Sequence, residues 1–473
     1  MQSDNSDTPT SKRDLSAVVP DSDLANCDRF IRWFGDSLLH VPERGWYFWN
    51  GEIWKPNAEP IAVECAKDTV RLLIEECMSY KGEQAKLMFK WAKASQHGSR
   101  IRQIVSLAES DDRLRMPITT FDADPWVLNC QGHIVNLKNG FPSQHDPNKY
   151  CSRQANVKYG QALNNDSLWF RFLDDITGGN NDLKLYLQRL AGYCLTGAVS
   201  EKAWFFCYGT GDNGKSVFIE VLHDLLGSYA IALNTQTLIK QRYGNTGVPN
   251  DVARLHGPRL ATVSETGKGE EWNDNLLKDL TGGDIITARF LREEFFDFRP
   301  QCKLIVRGNN KPNISDFSSG MWRRLHLIPF EAQIPLEKQD KYLREKIVRQ
   351  ELSGVLTWAL EGCIKWQEIG LAAPDSVVAA VQGYRDEMDI VGMFLAEKTK
   401  RVDAQDTKAS VLYSAYKDWC IENGYKAINQ TAFGVEMGQR NYFKVRNKFG
   451  WHYSSITVHR SPEGEQPAQE YEQ

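Results

Sequence analysis

The stretch Trp204-Phe205-Phe206-Cys207-Tyr208-Gly209-Thr210-Gly211-Asp212-Asn213-Gly214-Lys215-Ser216-Val217 decides the fold. Its first five residues are an apolar, β-prone run, and a helix is expected over 215–226. Between them, Gly209 to Ser216 fits G-x-x-x-x-G-K-S, the pattern of a phosphate-cradling loop between strand and helix. The chemistry needs this order. Glycines let backbone N–H groups curl around phosphates, and the helix N-terminus adds positive potential. Lys215 would reach the β- and γ-phosphates and Ser216 would ligate Mg²⁺. The candidate nucleotide-binding residues are therefore Gly209, Thr210, Gly211, Asp212, Asn213, Gly214, Lys215, Ser216 and Val217, with ATP and Mg²⁺ as the expected ligands.

Downstream, the strand signal recurs at Leu260–Val263 and Lys303–Val306, separated by helical or loop segments. Strands alternating with helices predict an α/β fold whose parallel sheet is flanked by helices. Leu260–Val263 runs into Ser264-Glu265, and an acid at a strand end is what polarising an attacking water or holding a metal requires. Ser264 stands where many P-loop enzymes carry a metal-binding Asp, so Glu265 is the candidate for both tasks. Lys303–Val306 leads to Arg307-Gly308-Asn309-Asn310-Lys311-Pro312. Asn309 could set an amide beside the γ-phosphate, while Asn310 could equally be a turn residue. Arg323 and Arg324 precede the apolar run 325–328. A guanidinium there suits a finger reaching a neighbour's γ-phosphate, and an ordinary salt bridge is the plainer alternative.

The 473-residue chain has room for two or three domains. Its net charge of −4 does not advertise nucleic-acid binding, so any such surface must be local. No apolar run approaches the ~20 residues of a membrane span, and the N-terminus lacks an apolar leader core. An intracellular, cytoplasmic protein with no membrane contact is expected. The ten cysteines are scattered without C-x-x-C, which predicts buried reduced thiols over a zinc site. Polar tails are expected at 1–26 and 461–473. Gly45–Trp54 reads as a hairpin around Asn50-Gly51, 58–112 as mostly helical, 121–150 as strands and 166–197 as two helices. A helical segment follows at 336–375, then a last block at 376–460 of helices closing in a small hairpin. Between Lys398 and Arg460 there are 11 Lys and Arg against 5 Asp and Glu. Arg440, Lys444, Arg446 and Lys448 crowd its end among Tyr442, Phe443 and Phe449, where they would contact phosphates; a solvated charged face is the alternative.

The glycine loop, acidic strand end, Asn strand end and paired arginines, in this order, resemble superfamily 3 helicases of the phage/plasmid/poxvirus primase–helicase family. The likeness extends to Leu280–Asp284, Ala288–Leu291 and Phe296–Pro300, upstream to Gly45–Trp54, Asp122–Pro125 and Tyr186–Gly197, and downstream to Leu412–Cys420 with Phe433. It implies an AAA+-like core at 198–335, a helicase-associated α+β domain at 27–197 and a winged-helix domain at 376–460. It implies a homohexameric ring that hydrolyses ATP between subunits and moves 3′ to 5′ on single-stranded DNA, opening forks for a phage, plasmid or other mobile element in its host cell. Glu265, Asn309 and Arg324 would be its acidic, sensor and finger residues, with Arg323 the second choice. The family's channel hairpin would be 285–299, with Arg289 and Arg292 as DNA contacts. Two departures stand out: Ser264 for the first of paired acids, and Arg307-Gly308 where a small residue and Thr are expected. Many relatives carry an N-terminal primase module, for which no room is expected here, so primers would come from a separate primase or replication protein.

Two other function classes compete. An ATP-gated origin-binding or loading protein would share the loop but have no need of a channel hairpin. A small-molecule P-loop kinase would carry an Arg-rich lid signature, which is missing, and would not need the Trp322-Arg323-Arg324 run.

Overall fold

In a computed structural model the described residues are 19–42, 44–160, 162–240, 250–264, 271–289, 295–311, 314, 319–402, 405–448 and 450–458. They form two compact units that meet at Ser376 and Val377 in the chain.

The first unit opens with helix α1 (Asp23–Phe34) and the antiparallel strands β1 (Leu38–Val41), β2 (Gly45–Trp49) and β3 (Trp54–Lys55). Ser22 caps α1, its Oγ accepting from the N–H of Ala25 at 3.2 Å. Helix α1 therefore starts inside the stretch expected to be a tail to residue 26. The polar first turn hid a face of Ala25, Cys27, Phe30 and Ile31 that is buried. The expected hairpin is present: Trp49 pairs with Trp54, and Asn50 Oδ1 accepts from the N–H groups of Glu52 and Ile53. Helices α2 (Glu59–Cys77), α3 (Gly82–Ser95) and α4 (Gly98–Ala108) follow. Phe30, Trp46, Ala62, Val70 and Ile104 meet in a core shared by α1, β2, α2 and α4. Next come the antiparallel strands β4 (Val127–Cys130), β5 (His133–Asn136) and β6 (Pro142–Ser143), then α5 (Leu168–Thr177) and α6 (Asn181–Leu195).

The α/β layer comprises β7 (Trp204–Tyr208), α7 (Lys215–Leu226), β8 (Ala230–Leu233), α8 (Asn250–Ala253), β9 (Leu260–Ser264), α9 (Asp274–Gly282), β10 (Ile286–Ala288), β11 (Phe296–Phe298), β12 (Lys303–Gly308), α10 (Ser319–Trp322) and β13 (Leu325–Pro329). Five strands make one parallel sheet in the order β13-β7-β12-β9-β8. This is the expected mixed α/β fold. Strand β7 lies inside the sheet, so Trp204 to Cys207 are all buried and read as a continuous apolar run. The edge strand β8 gave no sequence signal, being four small or aliphatic residues. Two further helices, α11 (Leu343–Gln350) and α12 (Leu352–Ile369), complete the unit. Helix α12 packs against α6 backbone to backbone. A Cβ on Gly192 would lie 2.1 Å from the nitrogen of Cys363, and one on Gly362 would lie 2.0 Å from the carbonyl of Gln188. The segment 336–375, expected as a connector, thus carries a helix of the unit's own core.

Two buried cations tie the sheet to the segments before it. Arg259, just ahead of β9, donates to the carbonyls of Leu195 and Val127, each at 2.6 Å. Lys303, the first residue of β12, donates to the carbonyls of Thr196 and Gln301. Leu195 and Thr196 end α6, where positive charge is favourable. Burial lowers the Lys303 ammonium to about 7. All ten cysteines are free, and burial pushes the thiols of Cys130, Cys194 and Cys207 up to about 12.

The second unit contains α13 (Asp375–Met388), α14 (Ile390–Lys398), β14 (Thr399–Arg401), β15 (Thr407–Lys408), α15 (Ala409–Glu422), α16 (Gln430–Gln439), β16 (Lys444–Asn447), β17 (Gly450–Tyr453) and β18 (Ile456–Val458). Phe394, Leu412, Tyr416, Phe433 and Met437 form its core, and the Tyr416 and Phe433 rings stack at 4.8 Å. Strands β15, β17 and β16 form one antiparallel sheet with β17 central. Among the described residues no helix is long and apolar enough to cross a membrane.

Candidate functional site

The loop between β7 and α7 has the backbone that cradling phosphates demands. Gly211 and Gly214 have φ of +113° and +76°, and Asp212 adopts φ +47°. At Gly214 two constraints coincide: the left-handed φ, and a Cβ position only 2.3 Å from Cγ2 of Ile176. The floor beneath the loop is thus α5, which contributes Phe172 and Ile176. Lys215 is only 6% exposed, and its Nζ donates to the Gly209 carbonyl at 2.8 Å and to Asn213 Oδ1 at 2.9 Å. Asn213 in turn donates to the carbonyl of Phe330 at 2.7 Å, and the N–H of Ile334 reaches the Asp212 carbonyl at 3.2 Å. The loop is fixed on one side by α5 and on the other by the chain leaving β13. Thr210 and Ser216 are exposed, and Val217 is half-buried. A buried ammonium, left-handed residues and a helix N-terminus together fit a triphosphate. The exposed Ser216 hydroxyl on the first turn of α7 fits Mg²⁺.

Strand register brings a second residue to the loop. Gly308 pairs with Tyr208, so Asn309 emerges beside Gly209, and both Asn309 and Asn310 are exposed. Arg307 pairs with Ser264 across β12 and β9. The next residue in sequence after Ser264, Glu265, lies outside the described residues.

Arg307, the departure noted in the sequence, has a partner. Its guanidinium meets Glu220 of α7 at 2.7 Å. The other oxygen of Glu220 accepts from Arg344 of α11 at 3.1 Å, and Arg344 grips Asp224 through two bonds of 2.8 and 2.9 Å. Those bonds raise the pKa of the Arg344 guanidinium. The strand carrying Asn309 is thereby tied to the helix that begins at Lys215. None of Phe172, Ile176, Glu220 or Arg344 belongs to a motif. Only the apolar spacing of Trp169, Phe172, Leu173 and Ile176 signalled that α5 has a face to bury.

The two arginines stand elsewhere. Leu325 pairs with Trp204 and Pro329 with Tyr208, so Arg323 and Arg324 precede the far end of the sheet. The N–H of Trp204 donates to the Arg324 carbonyl at 2.8 Å. The five residues of β7, at about 3.3 Å each, put about 16 Å between that end and the glycine loop. Arg323 is exposed, while Arg324 is partly buried and donates to the Gly320 carbonyl at 3.0 Å.

Strands β10 and β11 pair antiparallel, Ala288 opposite Phe296, within the expected channel hairpin. Arg289 is exposed with its guanidinium 4.8 Å from the centroid of the Phe295 ring. Arg292 lies outside the described residues. In the second unit Lys444 and Arg446 project from β16 and Lys448 follows it, all exposed. Arg440 differs from expectation: Asp389 and Glu436 each hold its guanidinium at 2.5 Å, so its charge is matched locally.

A central parallel strand, a glycine loop and a buried lysine opening a helix define a P-loop α/β core. Residues 27–178 match the family described as D5 N terminal like, 207–324 a family of unknown function, and 386–472 the family described as Poxvirus D5 protein-like. The first and last of these matches are to D5 families, in keeping with the resemblance that the motifs carry. It is 27% identical over 345 residues to "Putative helicase L207/L206" of Acanthamoeba polyphaga mimivirus, covering 68% of this chain and 35% of that protein. It is 28% identical over 257 residues to "Putative helicase 022R" of Frog virus 3, covering 50% and 26%. For "Putative helicase 121R" of Invertebrate iridescent virus 3 the identity is 26% over 367 residues, covering 69% and 38%. The chain thus spans well under half the length of these relatives. A solved structure of the C-terminal region of NrS-1 superposes with a TM-score of 0.47 at 9% identity, covering 91% of this chain and 99% of that one.

Proposed function

We propose that the chain is the motor portion of an ATP-dependent, superfamily 3 DNA helicase that works as a homohexameric ring. One observation supports this reading: Arg324 and Lys215 lie at opposite ends of β7, so within one chain the arginine is remote from the phosphate loop. A complete site then needs the arginine of a neighbouring subunit, which a closed ring supplies at every interface.

In such a site Lys215 swings from the Gly209 carbonyl to the β- and γ-phosphates. Ser216 and Glu265 would hold Mg²⁺, which would supply charge neutralisation to the phosphates. Glu265 polarises the attacking water and Asn309 contacts the γ-phosphate from its place beside Gly209. Loss of that phosphate changes what Asn309 can bind. Strand β12, which leads into Asn309, begins just after hairpin strand β11, so the sensor and the DNA-contacting hairpin share one continuous segment. Phosphate state at one end of that segment is thereby coupled to Arg289 and the hairpin at the other. Translocation along single-stranded DNA, 3′ to 5′, would open a fork during replication of a virus or other mobile element, with a separate primase supplying primers.

The test is strand displacement on a forked duplex with 3′ and 5′ tails. ATP-dependent displacement that requires the 3′ tail and disappears in Lys215→Ala supports the motor. DNA-stimulated ATPase with no displacement at any ring-forming concentration would instead identify an ATP-gated origin-binding or loading protein.

A further inference from the structure

The second unit divides its charge unevenly. Helix α16 exposes Gln430, Thr431, Val435 and Gln439 and contains no Lys or Arg. The arginine that follows it, Arg440, is held by Asp389 and Glu436. This helix therefore supplies no cation of its own to a phosphate-lined groove. From Asn441 to Val458, by contrast, the sequence has no acidic residue. That stretch contains the β16–β17 hairpin, whose β16 carries Lys444 and Arg446 and whose β17 carries Trp451 and Tyr453.

The register sorts them into faces. Arg446 lies directly opposite Trp451 and Lys444 opposite Tyr453, so both cation–ring pairs share one face of the hairpin. The Arg446 guanidinium is 5.9 Å from the Trp451 ring and the Lys444 ammonium is 5.6 Å from the Tyr453 ring. Tyr453 is buried, but Trp451 is 54% exposed and Phe443, one residue ahead of β16, is 66% exposed. A large exposed ring such as Trp451 is costly to leave in water. Such rings beside cations match a ligand that offers flat π-faces at intervals along an anionic backbone. Bases inside a duplex keep their faces stacked on one another; only unpaired bases present them.

We propose that the β16–β17 hairpin is a stacking site for unpaired bases of single-stranded nucleic acid, with Trp451 as the platform and Arg446 and Lys444 on the flanking phosphates. This rests on the DNA-motor reading and refines it: the second unit engages the separated strand through its hairpin, and α16 does not read a duplex groove. Trp451 recognises no base in particular, since every base has a π-face.

The experiment measures binding of the full chain to an oligothymidylate strand, to an abasic strand of equal length and charge, and to a blunt duplex. Wild type, Trp451→Ala and Trp451→Phe are compared. Stacking contributes about 1–3 kcal/mol per base, so Trp451→Ala should weaken oligothymidylate binding by about tenfold or more. Trp451→Phe should retain most of the affinity. Wild type should bind the abasic strand about as weakly as Trp451→Ala binds oligothymidylate. Duplex binding and DNA-free ATP hydrolysis should not change in either variant. A strand carrying 5-iodouracil should photocrosslink to Trp451. Equal affinity of wild type and Trp451→Ala for oligothymidylate overturns the proposal while leaving the motor standing. So do undiminished abasic binding, an equal loss on duplex, or crosslinks confined to α16. A wild-type chain that binds none of the three DNAs overturns the motor reading together with this one.

Discussion

Trp204 donates its backbone N–H to the carbonyl of Arg324 at 2.8 Å, which pins the arginine to the end of β7 remote from Lys215. The fold itself thus separates two charges that chemistry at one phosphate would need together. Sequence spacing cannot reveal this, because 109 residues of chain say nothing about which strand ends face which way.

Lys215→Ala should abolish ATP turnover, lowering it at least about a hundredfold, the scale of losing one preorganised donor to a reacting group. Its Nζ bonds the loop's own atoms, Gly209 O and Asn213 Oδ1, so the fold should persist. Turnover and thermal unfolding measured on the same preparation check both parts. Retained turnover would remove Lys215 from the site.

Gly214→Ala should destabilise the first unit by about 2 kcal/mol, because the new methyl meets Ile176 and the backbone is left-handed. It should also weaken nucleotide binding, since the loop can relieve the clash only by moving. Denaturant unfolding and a fluorescent-nucleotide titration would measure the two effects. Unchanged values in both would mean that α5 is not the floor of the loop.

Arg307→Ala removes a partly exposed ion pair with Glu220, so it should cost only about 0.5–1 kcal/mol of stability. Its effect on turnover should be larger, and should fall on kcat more than on KM, because the pair holds the strand of Asn309 to α7 and touches no substrate. Arg307→Lys should restore part of the rate. A kcat that falls only in proportion to lost stability would assign Arg307 to folding alone.

Lys303 supplies a pH test. Burial lowers its pKa to about 7, from about 10.4 in an unfolded chain. Between these values the unfolded state binds more protons than the folded one, so stability from this group rises with pH across the window. Below pH 7 the buried charge is present in both states and the slope vanishes. Thermal midpoints of wild type should climb relative to those of Lys303→Met from pH 7 towards pH 10. Parallel profiles would show that Lys303 keeps an ordinary pKa in the fold.

How much was legible follows from where information sits. The glycine loop, the buried strand before it and the strands ending at Ser264 and Gly308 are local patterns, and each was readable from a dozen residues. The floor under Gly214 comes from α5, and the brace on α7 comes from Arg344, 120 positions away from Asp224 in sequence. Neither leaves a local mark. Arg440 is illegible for the same reason: the sequence shows a cation among cations, while the Asp389 that pairs with it stands 51 positions earlier. The start of α1 was lost to a polar first turn, although Ser22 followed by Asp23 is itself a helix-start signal.

The most direct measurement of the central claim is ATP turnover in mixed rings. Lys215→Ala chains lack a working loop but carry Arg324; Arg324→Ala chains lack the arginine but carry Lys215. Each alone should be inactive. Mixed, with subunit exchange confirmed by native mass, they should recover turnover, because some interfaces then pair an intact loop with an intact arginine. Exchange without recovery at any ratio would contradict a site shared between subunits.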